Sequence, residues 1–145
     1  IDIFERGSKL VDKLVIAVSS NPNKHSLFTM EERVQLIKNS VSHIPNVEID
    51  CTSELLNDYV KSKDSRIIIR GLRALSDFEY EFQLAQMNRQ LAPEIETFFI
   101  ATDAKYSYLS SRGVKDAFQF GGAVREMVPP GVFRRLRERI PPRNL

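Results

Sequence analysis

The chain has 145 residues, with 21 lysines and arginines against 19 acidic residues, and a single cysteine. This length is that of one domain, and it suffices to bury a core without disulfide bonds. The charge is too evenly balanced for a protein that coats nucleic acid, and no apolar run approaches the roughly 18 residues of a membrane-spanning helix. We therefore expect one cytoplasmic domain that binds neither nucleic acid nor a membrane.

The first part of the chain predicts a helix, a strand and a second helix. Residues 1–13 have a helical pattern, and the β-branched run LVIAVSS at 14–20 is typical of a strand that is covered on both faces. A capping-box sequence begins at Thr29, and the apolar spacing after it extends one helical face to Val41. Lys24 lies in the loop between this strand and this helix, where a lysine is usually only solvated.

The middle of the chain continues the alternation. The run VEIDC at 47–51 predicts a second strand, in which we expect Cys51 to be a small buried residue. Apolar spacing at 55–60 then predicts a short helix. Three consecutive isoleucines in RIIIR at 66–70 predict the third strand, and a long helix follows at 76–91.

The last part of the chain predicts one strand and two helices. The run TFFIA at 97–101 is the fourth strand. The helix after it has Ser110 or Ser111 as its N-cap, and a final helix follows the sequence Pro-Pro-Gly. The arginine-rich stretch RRLRER at 134–139 alternates in charge, so we interpret it as the solvated face of that helix.

Four strands that alternate with helices predict an α/β fold with a parallel sheet and right-handed crossovers. In such sheets ligands bind outside the carboxyl ends of the strands, so the candidate site residues are those just after each strand. The alternation also predicts a strand before the first helix, and the sequence starts at Ile1 rather than at a methionine. We therefore expect residues 1–145 to form a single domain that is truncated at its N terminus.

The sequence RGLR after the third strand is a candidate phosphate site. Arg70 and Arg73 supply charge and forked hydrogen-bond donors that suit phosphate, and Gly71 allows a ligand to approach the backbone. Taken alone, the tetrapeptide also fits an ordinary strand-to-helix turn with two solvated arginines. Its position at the carboxyl edge of the sheet favours the phosphate site.

The helix that follows begins with acidic and aromatic residues. Asp77 in its first turn is explained by the helix dipole, whereas Glu81, one turn further on, is placed to hold a ribose hydroxyl. Phe78, Phe82 and Met87 fit either the core or a wall of the substrate site. Near residue 110, the start of another helix offers free backbone N–H groups that favour an anion.

Three motifs carry a resemblance to a known family. They read FTMEER at 28–33, IIRGLRALSDFEYEFQLAQMNRQL at 68–91 and YSYLSS at 106–111. In this order and spacing they closely resemble the phosphopantetheine adenylyltransferase family of the nucleotidyltransferase superfamily, over residues 1 to about 132. The resemblance implies a Rossmann-like, doubly wound parallel sheet. It also implies a reaction of coenzyme A biosynthesis, in which ATP and 4′-phosphopantetheine give dephospho-coenzyme A and pyrophosphate with Mg²⁺.

The resemblance also assigns roles to residues. Lys24 and Arg70 would grip the phosphate of phosphopantetheine, Leu56 would contact the pantetheine arm, and Lys24 and Arg73 would be catalytic. The residues implied for ATP are Gly71, Leu72, Arg73, Glu81, Tyr106, Ser107, Tyr108, Leu109, Ser110, Ser111 and Arg112. The family usually forms hexamers, so the resemblance implies a homo-oligomer.

The residue types fit this chemistry independently. Nucleotidyl transfer depends on positioning and fixed positive charge more than on covalent help from the protein, and Lys24, Arg70 and Arg73 supply that charge. The sequence has no Walker loop, no Ser-His-Asp arrangement and no histidine at metal-ligand spacing. We therefore expect Mg²⁺ to be held by phosphate oxygens and water, and no metal site made by protein ligands.

The chain departs from the family pattern in two places. The family's T/H-x-G-H motif, whose histidine stabilises the transition state, would end just before Ile1 and is not in this sequence. We expect a chain limited to these residues to have negligible activity. Arg112 and Gly113 stand where the family typically has Ser-Leu, and Asp116 replaces its usual glutamate.

Two other functions stay open at this point. Another nucleotidyltransferase, acting on a nucleotide or on glycerol phosphate, would use the same fold and similar phosphate contacts. A non-catalytic module that binds coenzyme A or a nucleotide would also present these residues.

Overall fold

The structure is a computed structural model that describes residues 1–20 and 26–141, without the side chains of Leu75 and Ser76. The helices are α1 (Asp2–Ser8), α2 (Met30–Val41), α3 (Leu56–Ser62), α4 (Leu75–Leu91), α5 (Ser111–Gln119) and α6 (Pro130–Arg139). The strands are β1 (Leu14–Ser19), β2 (Val47–Thr52), β3 (Ile67–Leu72) and β4 (Glu96–Ala101), and a 3₁₀ turn spans Ala104–Tyr106. The strands alternate with helices in chain order, which confirms the predicted α/β fold.

All strand pairing in the described residues is parallel. β1 pairs with β2 from Leu14 opposite Val47 onward, and β3 pairs with β4 from Ile67 opposite Glu96 onward. Within residues 1–20 and 26–141 the four strands form two separate hydrogen-bonded pairs rather than one continuous sheet. The parallel arrangement is as predicted, and the carboxyl ends of β3 and β4 lie side by side.

Helix α1 packs against both strand pairs. A Cβ added to buried Gly7 would lie 3.8 Å from Leu14 of β1, 3.7 Å from Ile69 of β3 and 3.9 Å from Ile100 of β4. The absence of a side chain at Gly7 therefore lets α1 approach both pairs closely. The helix also ends at Ser8, earlier than the predicted residue 13.

Strand β3 is longer than the sequence pattern predicted. It runs from Ile67 to Leu72, because Gly71 and Leu72 continue the parallel ladder opposite Ile100 and Ala101. The prediction that the strand ends at residue 70 is wrong, and Gly71 and Leu72 belong to the strand rather than to a loop.

One expectation about burial is also wrong, and one alternative that the sequence left open is narrowed. Cys51 lies in β2 as predicted, but its side chain is exposed because the described residues leave that side of the strand end uncovered. Phe78, Phe82 and Met87 of α4 are 44%, 45% and 59% exposed, so they are not core residues.

The buried residues form two apolar clusters. The first, between α3, β3 and the turn that joins α4 to β4, contains Val60, Ile68, Ala92 and Ile95. The second lies between α5 and α6 and contains Val114, Phe118, Val124 and Leu136. The C-terminal helix is thus part of the packed structure.

Helix α6 is joined to α2 by charge. Thr29 and Glu32 form the predicted capping box, in which the Thr29 hydroxyl accepts from the Glu32 N–H at 3.3 Å and Glu32 Oε2 accepts from the Thr29 N–H at 2.9 Å. The other Glu32 oxygen accepts from Arg135 and from Arg139. The stretch 134–139 is solvated as predicted at Arg134, Arg137 and Arg139, but Arg135 and Arg139 also bind α2. No helix in the described ranges is long and apolar enough to span a membrane.

Candidate active site

The carboxyl end of β3 carries an arginine that is held by a carboxylate. Arg70 donates from Nε to Oε2 of Glu81 at 2.6 Å and from Nη2 to Oε1 at 2.7 Å. Only 14% of the Glu81 side chain is exposed, against 41% of Arg70. Glu81 raises the pKa of Arg70, mainly through these hydrogen bonds. The remaining terminal nitrogen, Nη1, has no hydrogen-bond partner in the part of the chain that the structure describes.

The second arginine of the motif is held in the same way one turn earlier on α4. Arg73 donates from Nε to Oδ2 of Asp77 at 2.9 Å and from Nη2 to Oδ1 at 3.2 Å. The hydrogen bond from Arg73 lowers the pKa of Asp77 below its ordinary value. Arg73 also donates from Nη1 to the carbonyl of Leu109 at 2.5 Å. This bond connects the β3–α4 junction to the segment before α5.

The segment 106–112 is organised by its own hydroxyl groups. Ser110 is the N-cap of α5, as predicted, and its Oγ accepts from the Gly113 N–H at 3.0 Å. Ser107 donates to the carbonyl of Ala104 at 2.8 Å. Tyr108 is 70% exposed, so its ring is free to contact a ligand. The other members of this candidate set are Tyr106, which is 38% exposed, and Ser111 and Arg112 in the first turn of α5.

Arg112 makes only a loose contact in this structure. Its Nε lies 3.7 Å from Oδ2 of Asp116, and the Arg112 side chain is 92% exposed. The pair has the same i,i+4 spacing as Arg73 and Asp77, but it lacks their two-point geometry. Arg112 is therefore placed at the surface of α5 and is available to an anionic ligand.

The structure gives Gly71 a packing role. A Cβ at Gly71 would lie 3.0 Å from Cγ1 of Ile3, so the glycine allows α1 to cross the end of β3. The sequence led us to expect a ligand near this position, whereas the structure places a side chain of the protein there. The carbonyl of Leu72 accepts from both the N–H and the hydroxyl of Thr102, at 2.8 Å and 3.0 Å.

Of two further residues assigned to phosphopantetheine, Leu56 and Lys24, the structure describes only Leu56. Leu56 is the first residue of α3 and packs, partly buried, against the apolar cluster that contains Val60 and Ile68. Lys24 lies outside the described residues, so its predicted role stays a prediction. Through the bond from Arg73 to Leu109, the structure places the end of β3, which carries Arg70, beside the segment 106–112.

Sequence reasoning missed two contacts of this edge. Asp77 was explained by the helix dipole alone, although its spacing of four residues from Arg73 is that of side chains that meet on a helix. The contact of Ile3 with Gly71 had no signal in the sequence pattern. No group of three potential metal ligands from His, Cys, Asp or Glu gathers in residues 1–20 and 26–141.

The family of the chain follows from comparison with known proteins. Residues 1–117 match the cytidylyltransferase-like family, and the chain belongs to that family of nucleotidyltransferases. The phosphopantetheine adenylyltransferase of Clostridium botulinum (strain 657 / Type Ba4) is 49% identical over 140 residues, covering 97% of this chain and 85% of the relative. That of Alkaliphilus oremlandii (strain OhILAs) is 48% identical over 140 residues, covering 97% of this chain and 89% of the relative. Within the wider family, the chain thus belongs to the phosphopantetheine adenylyltransferases.

Proposed function

We propose that the protein transfers AMP from ATP to 4′-phosphopantetheine and so gives dephospho-coenzyme A and pyrophosphate. The observation that carries this proposal is the pair of arginines at the carboxyl end of β3, of which Arg73 also contacts Leu109. Two anionic substrates that react at one phosphorus atom need two separate positive groups close together. The β3–α4 junction supplies them.

Arg70 is suited to the phosphate of phosphopantetheine. Its Nε and one hydrogen of Nη2 are used by Glu81, which leaves the end-on pair of donors on Nη1 and Nη2 for a phosphate. We assign Lys24 to the same phosphate and Leu56 to the pantetheine arm. Both of these assignments rest on the family resemblance.

The ATP side is assigned to the end of β3 and to the segment before α5. Gly71, Leu72 and Arg73 would meet the phosphates, and residues 106–112 would line the adenine and triphosphate. Glu81 can keep Arg70 and still accept a ribose hydroxyl, because a carboxylate has about four acceptor positions. Glu81 would then connect the two substrates.

The reaction requires correctly positioned substrates and fixed positive charge. A phosphate oxygen of phosphopantetheine attacks the α-phosphorus of ATP in line, the new P–O bond forms, and the bond to the pyrophosphate oxygen breaks. Negative charge that grows on the phosphate oxygens is stabilised by fixed donors, which here are the N–H groups of Arg73 and Arg70, with Lys24 as the family implies. The protein forms no covalent intermediate in this scheme.

Magnesium is proposed to enter with ATP as part of the substrate. The described carboxylates at this edge, Asp77 and Glu81, are both bonded to arginines, so they form no acidic cage. Mg²⁺ commonly keeps several waters and binds through phosphate oxygens, where it neutralises charge. The donor set fits a magnesium–ATP complex.

Measurement of the products tests the proposed reaction. The full-length protein, with whatever natural sequence precedes Ile1, is incubated with ATP, MgCl₂ and 4′-phosphopantetheine, and dephospho-coenzyme A is identified by mass while pyrophosphate is quantified. Equal amounts of the two products support the proposal. Another nucleotidyltransferase would be favoured if phosphopantetheine is not converted and the protein instead turns over nicotinamide mononucleotide with ATP, or glycerol phosphate with CTP. Binding of dephospho-coenzyme A without turnover of any pair would favour a non-catalytic module.

We also propose that copies of this chain associate in the cytoplasm, as a hexamer if the family pattern holds. Tyr80, Met87 and Leu91 recur along one face of α4 and are 60%, 59% and 54% exposed. Large apolar side chains on one helix face favour contact with another protein surface. Sedimentation equilibrium tests this, and a mass equal to that of one chain at micromolar concentration would contradict it.

A further inference from the structure

Arg73 is held by a short carboxylate on a helix, which limits where its guanidinium group can lie. Asp77 is in the first turn of α4, and its own N–H donates to the carbonyl of Ala74 at 3.0 Å. Its two oxygens take Nε and Nη2 of Arg73 in a two-point contact. A two-point contact fixes both the position and the plane of a guanidinium group.

The donors that remain on Arg73 are fixed by the same contacts. A guanidinium group has five N–H bonds, of which one is on Nε and two are on each terminal nitrogen. Asp77 and the carbonyl of Leu109 use three of them. One N–H therefore remains on Nη1 and one on Nη2, and these two are free for a phosphate oxygen.

The helix dipole does not account for this arrangement. An acidic residue in a first turn interacts favourably with the dipole whichever way its side chain points, and the N-cap of α4 has no side-chain hydrogen bond. Arg112 and Asp116 show that i,i+4 spacing alone does not produce a two-point contact, since their closest N–O distance is 3.7 Å. The geometry at Asp77 is thus specific to the β3–α4 junction.

We propose that Asp77 is a positioning residue for the transfer reaction, which holds Arg73 so that its two free N–H groups face the ATP phosphates. This inference rests on the proposed function, because that function defines the transfer reaction in which Arg73 would act. A guanidinium group fixed before the substrate binds loses little further freedom in the transition state. Asp77 itself touches neither substrate, and acts only through Arg73.

A double-mutant cycle tests this dependence. Asp77→Asn is expected to lower kcat by about tenfold to a hundredfold, with a change in KM for ATP below about threefold. In the Arg73→Ala background the same substitution is expected to have no further effect, because the group that Asp77 holds is gone. Independent, multiplying effects of the two substitutions would overturn the proposal.

Asp77→Glu separates positioning from helix stabilisation. A glutamate keeps the negative charge in the first turn and satisfies the dipole, but its extra methylene group moves the carboxylate away from the position that fits Arg73. Turnover is therefore expected to stay well below that of the unchanged protein. Turnover within about twofold of it would show that the dipole suffices, and would overturn the proposal. Glu94→Gln is the control, since it removes a surface ion pair with Lys61 away from this edge.

A readout that needs no turnover keeps this inference separate from the proposed function. The carboxyl pKa of Asp77 is measured by NMR in the unchanged protein and in Arg73→Ala. We expect a value below the ordinary range that returns toward it when Arg73 is removed. If the value does not change, the pairing is absent and the proposal fails, even if phosphopantetheine is the substrate. If the value changes but phosphopantetheine is not adenylylated, the pairing stands and only the proposed function fails.

Discussion

At the scale of single residues, Arg70 and Arg73 differ from Asn57 in how their polar atoms are bonded. Arg70 and Arg73 are each bonded at two points to carboxylates of α4 and still keep free donors. Asn57 is different, because its side chain is buried and Oδ1 has no hydrogen-bond partner in the described residues. The first arrangement leaves N–H groups for the proposed ligands, and the second costs free energy of folding.

Arg73→Ala is expected to impair turnover more than substrate binding. The substitution removes a positive group that acts mainly as charge develops in the transition state, so kcat should fall by about a hundredfold while KM for ATP changes by less than about threefold. Steady-state kinetics with varied ATP measures both values. Arg66→Ala, an exposed arginine just before β3, is the control. Equal losses in kcat and in binding would contradict this role.

Asn57→Leu is expected to leave the free energy of unfolding unchanged or to raise it by up to about 1 kcal/mol. Leucine has the same branching as asparagine and removes the unpaired oxygen, at the loss of one bond from Nδ2 to the Asn88 carbonyl at 3.2 Å. That carbonyl already accepts from the Ala92 N–H at 2.8 Å. Asn57→Asp, which buries a charge, is expected to lower stability by on the order of 3 kcal/mol. Chemical denaturation measures both variants, and a large loss for Asn57→Leu would show that Oδ1 has a partner.

At the scale of elements, one carboxylate of α2 joins that helix to α6. Glu32 accepts from the Thr29 N–H inside its own helix and from Arg135 and Arg139 of α6. The Thr29 N–H, followed by Arg139 and Arg135, lowers the pKa of Glu32 to about 2. Helix α6 therefore docks by charge as well as through the apolar cluster that contains Leu136.

The docking of α6 is expected to weaken in acid. Because the folded-state pKa of Glu32 is lowered, its contribution is fully present above the ordinary value of about 4.5 and is lost as the pH falls toward about 2. Glu32→Gln should reduce this loss, since glutamine can complete the capping box but carries no charge for Arg135 and Arg139. Thermal unfolding between pH 7 and pH 2.5 measures this loss of stability in the unchanged protein and in the variant. Glu31→Gln, in the same turn without an arginine partner in the described ranges, is the control, and an equal effect would contradict the assignment.

At the scale of the whole molecule, α1 holds the two strand pairs in place. Gly7 lets the helix lie against β1, β3 and β4 at once. Arg6 donates to the carbonyl of Ala101 at 2.6 Å, and Asp2 accepts from the N–H of Asp103 at 3.0 Å. These contacts fix α1 at the carboxyl ends of β3 and β4, beside the candidate active site.

Two substitutions at Gly7 test this packing. A Cβ there would meet its neighbours at ordinary contact distances of 3.7–3.9 Å, so Gly7→Ala is expected to raise the free energy of unfolding by about 0.5–1 kcal/mol through helix propensity. Gly7→Leu adds more volume than the space between the strand pairs allows, so it should lower the free energy of unfolding by about 1–3 kcal/mol. Urea denaturation compares the two. A stabilising leucine would show that α1 does not approach both pairs this closely.

Much of the fold follows from local patterns. The β-branched runs became parallel strands, the capping box at Thr29 and Glu32 formed as its residues require, and Ser110 caps α5. Arg70 and Arg73 could likewise be identified from the sequence as candidate phosphate ligands, since that prediction depends on residue type and on position at the end of a strand.

Other features depend on contacts between residues far apart in the chain, and these only the tertiary structure decided. The end of β3 is set by pairing with β4, which no pattern within 66–70 records. The contact of Ile3 with Gly71 and the bonds from α6 to Glu32 each need a second element in place, and the exposure of Cys51 depends on which elements cover β2. The sequence by itself determined the kinds of elements and the chemistry at the strand ends, because both are local. The structure decided which carboxylate holds which arginine, because that depends on how β3 and α4 pack.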